Sequence, residues 1–522
     1  MSIKKLRAHW DTLSRQELRR LQGAVLHDYL RKQILPHSAF YRELFQEKGI
    51  DVDGIRSLED LSSIPMISKA DLLSSEEHPE RAREFVLIPD KAKLSKRADV
   101  ILSAVLRGKA ATQERLSREY RPIFLTSTTG RSAEPVPFLY SQHDIDNLSH
   151  TGKRLVDVLG ATVEDRIVNM FPYAPHLAFW QTHYATNAFN VFNVSTGGGK
   201  VMGTEGNIRI ATKVNPHAII GMPTFIYHML TQALEGDCKL SNLRTLVLGG
   251  EKVPPGMRKK LAELVRQLGG EEASVVATYG FTEAKMAFGE CPFKPGDEPG
   301  GYHLYPDLAV VEIVDPESGE PVADGEPGEI VFTPLDSRGS VVLRYRTGDF
   351  LDGGLTYEPC PYCGRCMPRL VGHISRQSEV RELQLGKIKG TLIDFNELEH
   401  VLDDAENIGA WQIEIRKLND DPLELDELIL HVERRAGADE AALSEELSNY
   451  LCSHTELRPN EILFHSAADM RQRQGVGEEI KEKRLVDNRP KDGQPPPPRE
   501  SEQRDGLLRS LFRRRKKKKA AE

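Results

Sequence analysis

Between Ile123 and Val310 short apolar runs alternate with amphipathic segments, and this alternation constrains the fold more than any other feature of the chain. Ala218-Ile219-Ile220-Gly221 and Leu243-Arg244-Thr245-Leu246-Val247-Leu248-Gly249-Gly250 read as buried strands. A helix is predicted from Pro254 to Leu268, then a strand from Ser274 to Gly280 that ends in a glycine turn. Strand–helix–strand units of this size need crossover connections, and crossovers build a parallel sheet flanked by helices. Ligands on such sheets sit beyond the carboxyl ends of the strands. Gly249-Gly250-Glu251 and Tyr279-Gly280 both fall there.

The flanks read differently. Residues 1–120 are predicted to be mostly helical, with Ser14 and Glu17 forming a capping box and Ser68 capping the helix that contains Asp71-Leu72-Leu73. Residues 308–350 are β-rich: Val310–Val314, Gly328–Phe332 and Val341–Tyr345 suggest an antiparallel sheet or small barrel. Residues 371–490 form a second α/β pattern, with a helix from Phe395 to Asp403 and a strand from Leu428 to Val432. The expected organisation is an α/β chain with a large domain over 1–370, a boundary near Val371–Arg376 and a small α+β domain over 371–490. A disordered Pro-rich linker and tail complete it over 491–522.

A chain of 522 residues, 39% hydrophobic and 28% charged, suits a soluble globular protein of two or three domains. No stretch approaches the ~20 apolar residues of a membrane span. The basic start, Met1 to Trp10, has no apolar run behind it, so no secretory signal is expected and the cytoplasm is the expected compartment. The net charge of -8 hides an asymmetry: residues 506–522 carry eight cations against Glu522, a net +7, which leaves -15 for the rest. The acidic body argues against nucleic acid as the main partner. The tail, with Leu507, Leu508, Leu511 and Phe512 beside its cations, reads either as a solvated segment or as a weak contact for an anionic membrane surface.

Three short motifs carry the chemistry. In Tyr345-Arg346-Thr347-Gly348-Asp349 an Asp ending a turn can accept hydrogen bonds from a ribose diol. In Tyr279-Gly280-Phe281-Thr282-Glu283 an aromatic followed by Gly lets a ring approach adenine, and Glu283 can hold the magnesium that accompanies phosphates. Thr126-Ser127-Thr128-Thr129-Gly130 follows an apolar strand, and its hydroxyls and backbone N–H groups can wrap phosphates. Separately, Cys360 and Cys363 have the CxxC spacing of a zinc knuckle. Cys291 and His303 can complete a Cys3His set, with Cys366 a competing ligand and a redox dithiol or free buried thiols the other readings.

With these motifs in this order the chain resembles the phenylacetate–CoA ligase branch of the adenylate-forming ligases, from about His37 to Pro490. His37-Ser38-Ala39-Phe40-Tyr41-Arg42, Ile55 to Leu61, and Lys481-Glu482-Lys483-Arg484-Leu485-Val486-Asp487 are similar to that branch in particular. The resemblance implies an adenylate-forming domain and a small mobile C-terminal domain. It implies ATP with magnesium, an acyl-adenylate intermediate, release of pyrophosphate and AMP, and coenzyme A as acceptor. It assigns Tyr279 and Gly280 to adenine, Gly249, Gly250 and Glu251 to the pocket wall, Thr282 with Ser127, Thr128, Thr129 and Gly130 to phosphate, and Asp349 to ribose. Lys481 becomes the catalytic lysine, with Lys483 its nearest competitor. Arg376 matches the hinge arginine, and Lys389-Gly390 the pair near the pantetheine path. Some relatives carry a Cys3His zinc site, which favours Cys291, His303, Cys360 and Cys363 over Cys366. Such ligases are often homodimers.

The aromatic run Phe171 to Trp180 and the turn Gly197-Gly198-Gly199 approach the acyl group in the resembling family, which suits an aryl or other apolar acid. His176 is a candidate for its carboxylate. Ser127 and Arg131 stand where Gly and Lys are usual in the phosphate loop, and Ser375 and Ser378 where Gly and Asp are usual in the hinge. These departures leave open an amine, carrier-protein or cofactor acceptor, or a nucleotide-binding scaffold.

Overall fold

The Val-, Ile- and Leu-rich runs that read as strands build a mixed sheet. In the computed structural model the described residues are 2–76, 78–128, 135–294, 296–376, 395–405, 408–417, 426–434, 439–455, 458–476 and 483–489. They fall into two compact units, with described residues up to 376 in the first and those from 395 in the second.

The core of the first unit is a nine-stranded sheet among the described residues. Its parallel half runs Phe192–Ser195, Arg166–Asn169, Ala218–Gly221, Thr245–Gly249 and Ser274–Phe281. Pro223–Glu235 and Pro255–Gln267 are the crossover helices between successive strands. Register pairs such as Ile219 with Leu246 and Val247 with Val276 bury both faces, which is why these strands are continuous apolar runs. Directly after Phe281 the chain forms no α-helix. It makes one 3-10 turn, Thr282–Ala284, passes through Lys285 at φ 57°, and returns antiparallel as Met286–Gly289. Tyr302–His303, Arg369–Leu370 and Leu355–Thr356 extend the sheet on that side.

Residues 309–376 supply a four-stranded antiparallel sheet of Ala309–Val314, Gly328–Pro334, Tyr345–Leu351 and Ile374–Arg376. Val341–Arg344, read as part of a strand, is irregular though buried. Its backbone N–H groups are taken elsewhere: Val341 donates to the Phe85 carbonyl at 2.8 Å, Leu343 to the Tyr41 hydroxyl at 2.7 Å and Arg344 to the Thr333 hydroxyl at 3.1 Å. Ile374–Arg376, inside the expected domain boundary, is the fourth strand of this sheet.

The opening is helical as expected, from Ser2–Ala8 and Arg15–Tyr29 to Ala98–Arg107 and Lys109–Tyr120. Ser14 accepts the Glu17 N–H at 3.4 Å, but the Glu17 carboxylate pairs with Lys5, so half of the expected capping box is absent. Ser68 and Asp71 do form a box. One buried ion pair ties the opening to the sheet. Arg154 donates to both oxygens of fully buried Asp307, at 2.6 and 3.3 Å, and its guanidinium lies 4.4 Å over the Trp10 ring. Breaking such a pair strands a buried carboxylate. Arg154→Ala is expected to destabilise the first unit by about 3–5 kcal/mol in chemical denaturation; a parental midpoint would show that the pair contributes nothing net.

The second unit is a four-stranded sheet in the order Glu461–His465, Asp426–Arg434, Ile408–Lys417 and Leu485–Asp487. The helices Phe395–Asp404, Glu440–Thr455 and Ala467–Gln474 accompany it. Leu398, Leu402, Trp411, Ile413, Leu430 and Leu443 form its core. No helix among the described residues is long and apolar enough to cross a membrane.

Candidate nucleotide site and cysteine–histidine cluster

The carboxyl end of strand Ser274–Phe281 brings Tyr279 and Gly280 to the edge of the sheet, and the turn after it presents Thr282 and Glu283. Two hydrogen bonds cross from this motif to Tyr345–Leu351. The Tyr279 hydroxyl donates to the Asp349 carboxylate at 2.7 Å, and the Tyr345 hydroxyl donates to the Glu283 carboxylate at 2.6 Å. Each motif thus gives one tyrosine and receives it on one carboxylate of the other.

Asp349 is 5% exposed, and its backbone is set by its own turn. Gly348 lies at φ 72° and donates to Glu329 at 3.2 Å, while the Thr347 hydroxyl accepts the Asp349 N–H at 3.0 Å and donates to the Ile330 carbonyl at 2.8 Å. Arg376 stands opposite Asp349 in register.

The phosphate-loop strand ends beside the same turn. The Ser127 carbonyl accepts from Thr282 Oγ1 at 3.5 Å and from the His176 Nδ1–H at 3.1 Å. Thr128 closes the loop base, accepting the Val136 N–H at 3.0 Å on its hydroxyl and donating its own N–H to the Val136 carbonyl at 3.1 Å. His176, read as a carboxylate contact, is thereby tied to backbone. Thr129, Gly130, Arg131, Lys389, Gly390, Ser378 and Lys481 lie outside the described residues, as does the side chain of Arg376.

Gly249 and Gly250 follow the strand Thr245–Gly249. A Cβ on Gly249 would lie 2.4 Å from Thr278 Oγ1, and Gly250 adopts φ 82°, so neither position accepts a side chain readily. Glu251 accepts from the Thr224 N–H at 3.3 Å and its hydroxyl at 2.9 Å, capping the helix Pro223–Glu235. In the aromatic run, Trp180 packs against Phe124, Phe179 and Tyr173 with centroids 5.1, 5.3 and 5.9 Å apart. Gly197 and Gly198 both have positive φ and open the helix Gly198–Val214.

Sequence reasoning missed two features here. Tyr345 carried no role beyond its motif, because nothing local names a partner 62 positions away. Lys285, given no role from the sequence, is 4% exposed, 3.4 Å from Asp144 and 4.9 Å over the Tyr140 ring. Burial pulls its pKa below the usual lysine value, opposed by Asp144. Tyr140 in turn is 3.0 Å from the Thr126 hydroxyl, so this buried network joins the phosphate-loop strand to the Glu283 turn.

The cysteine cluster assembles from three segments. Cys291 follows strand Met286–Gly289, His303 sits on Tyr302–His303, and Cys360 and Cys363 occupy a turn closed by Cys360 N–H to the Arg365 carbonyl at 2.9 Å. Sγ of Cys291, Cys360 and Cys363 and a ring nitrogen of His303 all lie within 4.8 Å of one another. The closest approaches are 3.5 Å between Cys291 and Cys360 and 3.3 Å between Cys363 and His303 Nε2. A tetrahedral zinc would hold such atoms roughly 3.5–3.8 Å apart. His303 Nδ1–H donates to the Gly289 carbonyl at 3.0 Å, which directs the Nε2 lone pair at the three sulfurs. The packed thiols share their protons unequally: Cys360 pushes Cys291 up, contact with Cys291 pulls Cys360 far down, and it pulls Cys363 down to about 7. The residues therefore fit a closed four-ligand ion. Cys366, 3.8 Å from the Gly364 carbonyl, is not among the grouped ligands.

This sheet, these motifs and the second small unit define a class. The family model described as AMP-binding enzyme matches residues 144–334, and this part of the chain is similar to the adenylate-forming, AMP-binding superfamily. Over most of its length it has distant homologues named phenylacetate-coenzyme A ligase. It is 26% identical to that of Thermus thermophilus over 412 residues, 78% of this chain and 80% of the relative. It is 27% identical to that of Escherichia coli over 416 residues, 78% and 81% of the two chains. The Pseudomonas putida protein is 23% identical over 492 residues, 91% and 95% of the two. In fold it is similar to crystal structures of 2-hydroxyisobutyryl-CoA ligase in the postadenylation state, with TM-scores of 0.71 and 0.72 at 20% identity, covering 93% of this chain and 92% of that one.

Proposed function

We propose that the chain is an ATP-dependent carboxylic acid–coenzyme A ligase acting on an aryl or other apolar acid. The observation that carries this reading is the crossed pair of hydrogen bonds, Tyr279 to Asp349 and Tyr345 to Glu283, which makes one site of two distant motifs. The relatives named phenylacetate-coenzyme A ligase support the acid class, and the Phe124–Tyr173–Phe179–Trp180 cluster supports an apolar wall.

In this reading a carboxylate oxygen attacks the α-phosphorus of ATP and pyrophosphate leaves. The thiol sulfur of coenzyme A then attacks the acyl carbon, AMP leaves, and the thiol proton passes to solvent. Asp349 holds the ribose hydroxyls, Tyr279 and Gly280 border adenine with Gly249 and Gly250, and Thr282 with residues 127–130 binds phosphate. Glu283, oriented by Tyr345, would hold magnesium, which neutralises phosphate charge when bound. Lys481 would neutralise charge at the α-phosphate in the first step, and Arg376, Lys389 and Gly390 would serve the second. Zinc on Cys291, His303, Cys360 and Cys363 is structural, since four protein ligands leave no open position.

Carboxylate-dependent ATP–pyrophosphate exchange across aryl and fatty acids, followed by AMP release with and without coenzyme A, tests the reading. Exchange with at least one apolar acid and coenzyme A-dependent turnover are expected. Exchange without that dependence would favour another acceptor, and no exchange with any acid would favour a scaffold. Lys481→Ala is expected to lower adenylation on the order of 10²-fold or more while sparing thiol attack on supplied acyl-adenylate. Equal loss in both steps would remove Lys481 from the role.

A further inference from the structure

Of two paired helices in the opening, the first buries almost none of its apolar surface. Ala98–Arg107 and Lys109–Tyr120 form an antiparallel hairpin around Gly108, which lies at φ 88°. Its base is fixed: Arg97 donates to the Tyr120 hydroxyl at 3.1 Å, and that hydroxyl donates to Gln33 at 2.7 Å. The helices are joined by Ser103 and Thr112, 3.0 Å apart. Val100 is the one hydrophobic residue of the first helix that is buried. Ile101, Leu102, Val105 and Leu106 are 50, 58, 76 and 72% exposed. Their spacing of i, i+1, i+4 and i+5 places them in one stripe on the side of the helix away from Val100. A soluble protein has no folding reason to present four large aliphatic side chains on one face.

The charge around the stripe is as unusual. Residues 91–121 carry nine Lys and Arg against three Asp and Glu, a net +6, in a chain whose total is -8. The remaining residues therefore sum to -14. Arg97 and Arg115 are satisfied by Asp99, and Arg118 by Asp146. Among the described residues Lys91, Lys93, Lys96, Arg107 and Lys109 have no carboxylate within ion-pair distance, and all are exposed.

We propose that this hairpin docks the protein on an anionic phospholipid surface. An apolar stripe flanked by cations matches the boundary between acyl chains and acidic headgroups. Charge selects this occupant over a second copy of the chain. A two-fold interface would set the same +6 surface against itself, and like charges at that range repel. The acidic remainder of the protein is repelled by the same lipids, so the two terms together orient the molecule hairpin-first. The basic tail lies outside the described residues and carries no part of the inference.

The test is sedimentation of the full chain with vesicles of phosphatidylcholine containing phosphatidylglycerol, and with phosphatidylcholine alone. Val105→Asp with Leu106→Asp is expected to lower partitioning onto the anionic vesicles about tenfold or more. Both residues are exposed, so an unchanged melting curve by circular dichroism is the control for folding. The same loss on introducing these two substitutions is expected in a background where Lys516 to Lys519 are replaced by Gln, which separates the hairpin from the tail. Parental partitioning by the double variant would overturn the proposal, as would equal partitioning onto phosphatidylcholine alone. Light scattering that shows a parental dimer becoming a monomer in the double variant would also overturn it, because the stripe would then be covered by a second copy.

Discussion

Cys360→Ala is expected to leave the purified protein with well under one equivalent of zinc and to destabilise the first unit by several kcal/mol, on the order typical for loss of a structural metal. Cys360 is 3% exposed and Cys291 1%, so no water can stand in for the missing sulfur. Two buried thiols, the half-buried thiol of Cys363 and an imidazole without an ion must share protons at distances of 3.3 and 3.5 Å. A divalent ion held by these residues would replace those protons and join the segments bearing Cys291, His303 and the Cys360–Cys363 turn. Because a preformed site is absent from the unfolded chain, its binding energy is folding energy. Cys366→Ala is the matched control, expected to retain zinc and stability. Metal analysis and melting curves, with and without a chelator, check both. Equal zinc in the two variants, or a chelator-insensitive parent, would sink the assignment.

Asp349→Ala is expected to raise the KM for ATP on the order of 10²- to 10⁴-fold, since the two charge-assisted hydrogen bonds proposed to a ribose diol would contribute about 1.5–3 kcal/mol each. The carboxylate is preorganised, which is why its loss is costly. Its backbone is held by Thr347 and Gly348, and the Tyr279 hydroxyl fixes one oxygen at 2.7 Å. Tyr279→Phe keeps the ring beside adenine and removes only that hydroxyl, so an effect of about tenfold or less is expected. The contrast matters: similar losses from both would mean that Asp349 acts by holding Tyr279. Steady-state exchange at varied ATP, with direct nucleotide titration, separates the cases.

The sheet was readable because its central strands are buried on both faces and so appear as unbroken apolar runs, such as Ala218–Gly221 and Thr245–Gly249. The grouping of Cys291, His303, Cys360 and Cys363 was readable because the CxxC spacing with a Cys and a His offers a Cys3His set, and the family resemblance favoured that set over Cys366. Sequence failed where a tertiary partner decides the backbone. Thr282-Glu283-Ala284-Lys285 has the composition of a helix start, yet buried Asp144 and Tyr140 draw Lys285 inward and the chain reverses. Val341, Val342 and Leu343 look like a strand, but Phe85 and Tyr41 take the hydrogen bonds a neighbouring strand would need. The tyrosine hydroxyl that meets Glu283 is likewise set by the meeting of two sheets and not by any local pattern.

Arg376 faces Asp349 across two paired strands, with Ser375 opposite Phe350 and Ile374 opposite Leu351. The chain therefore leaves the first unit through a ladder whose other rail carries the proposed ribose contact. Any pull on the segment that follows acts first on these three rungs. A load on that exit would fall on the same rungs that hold the proposed ribose contact, so a strain applied downstream would reach Asp349 first.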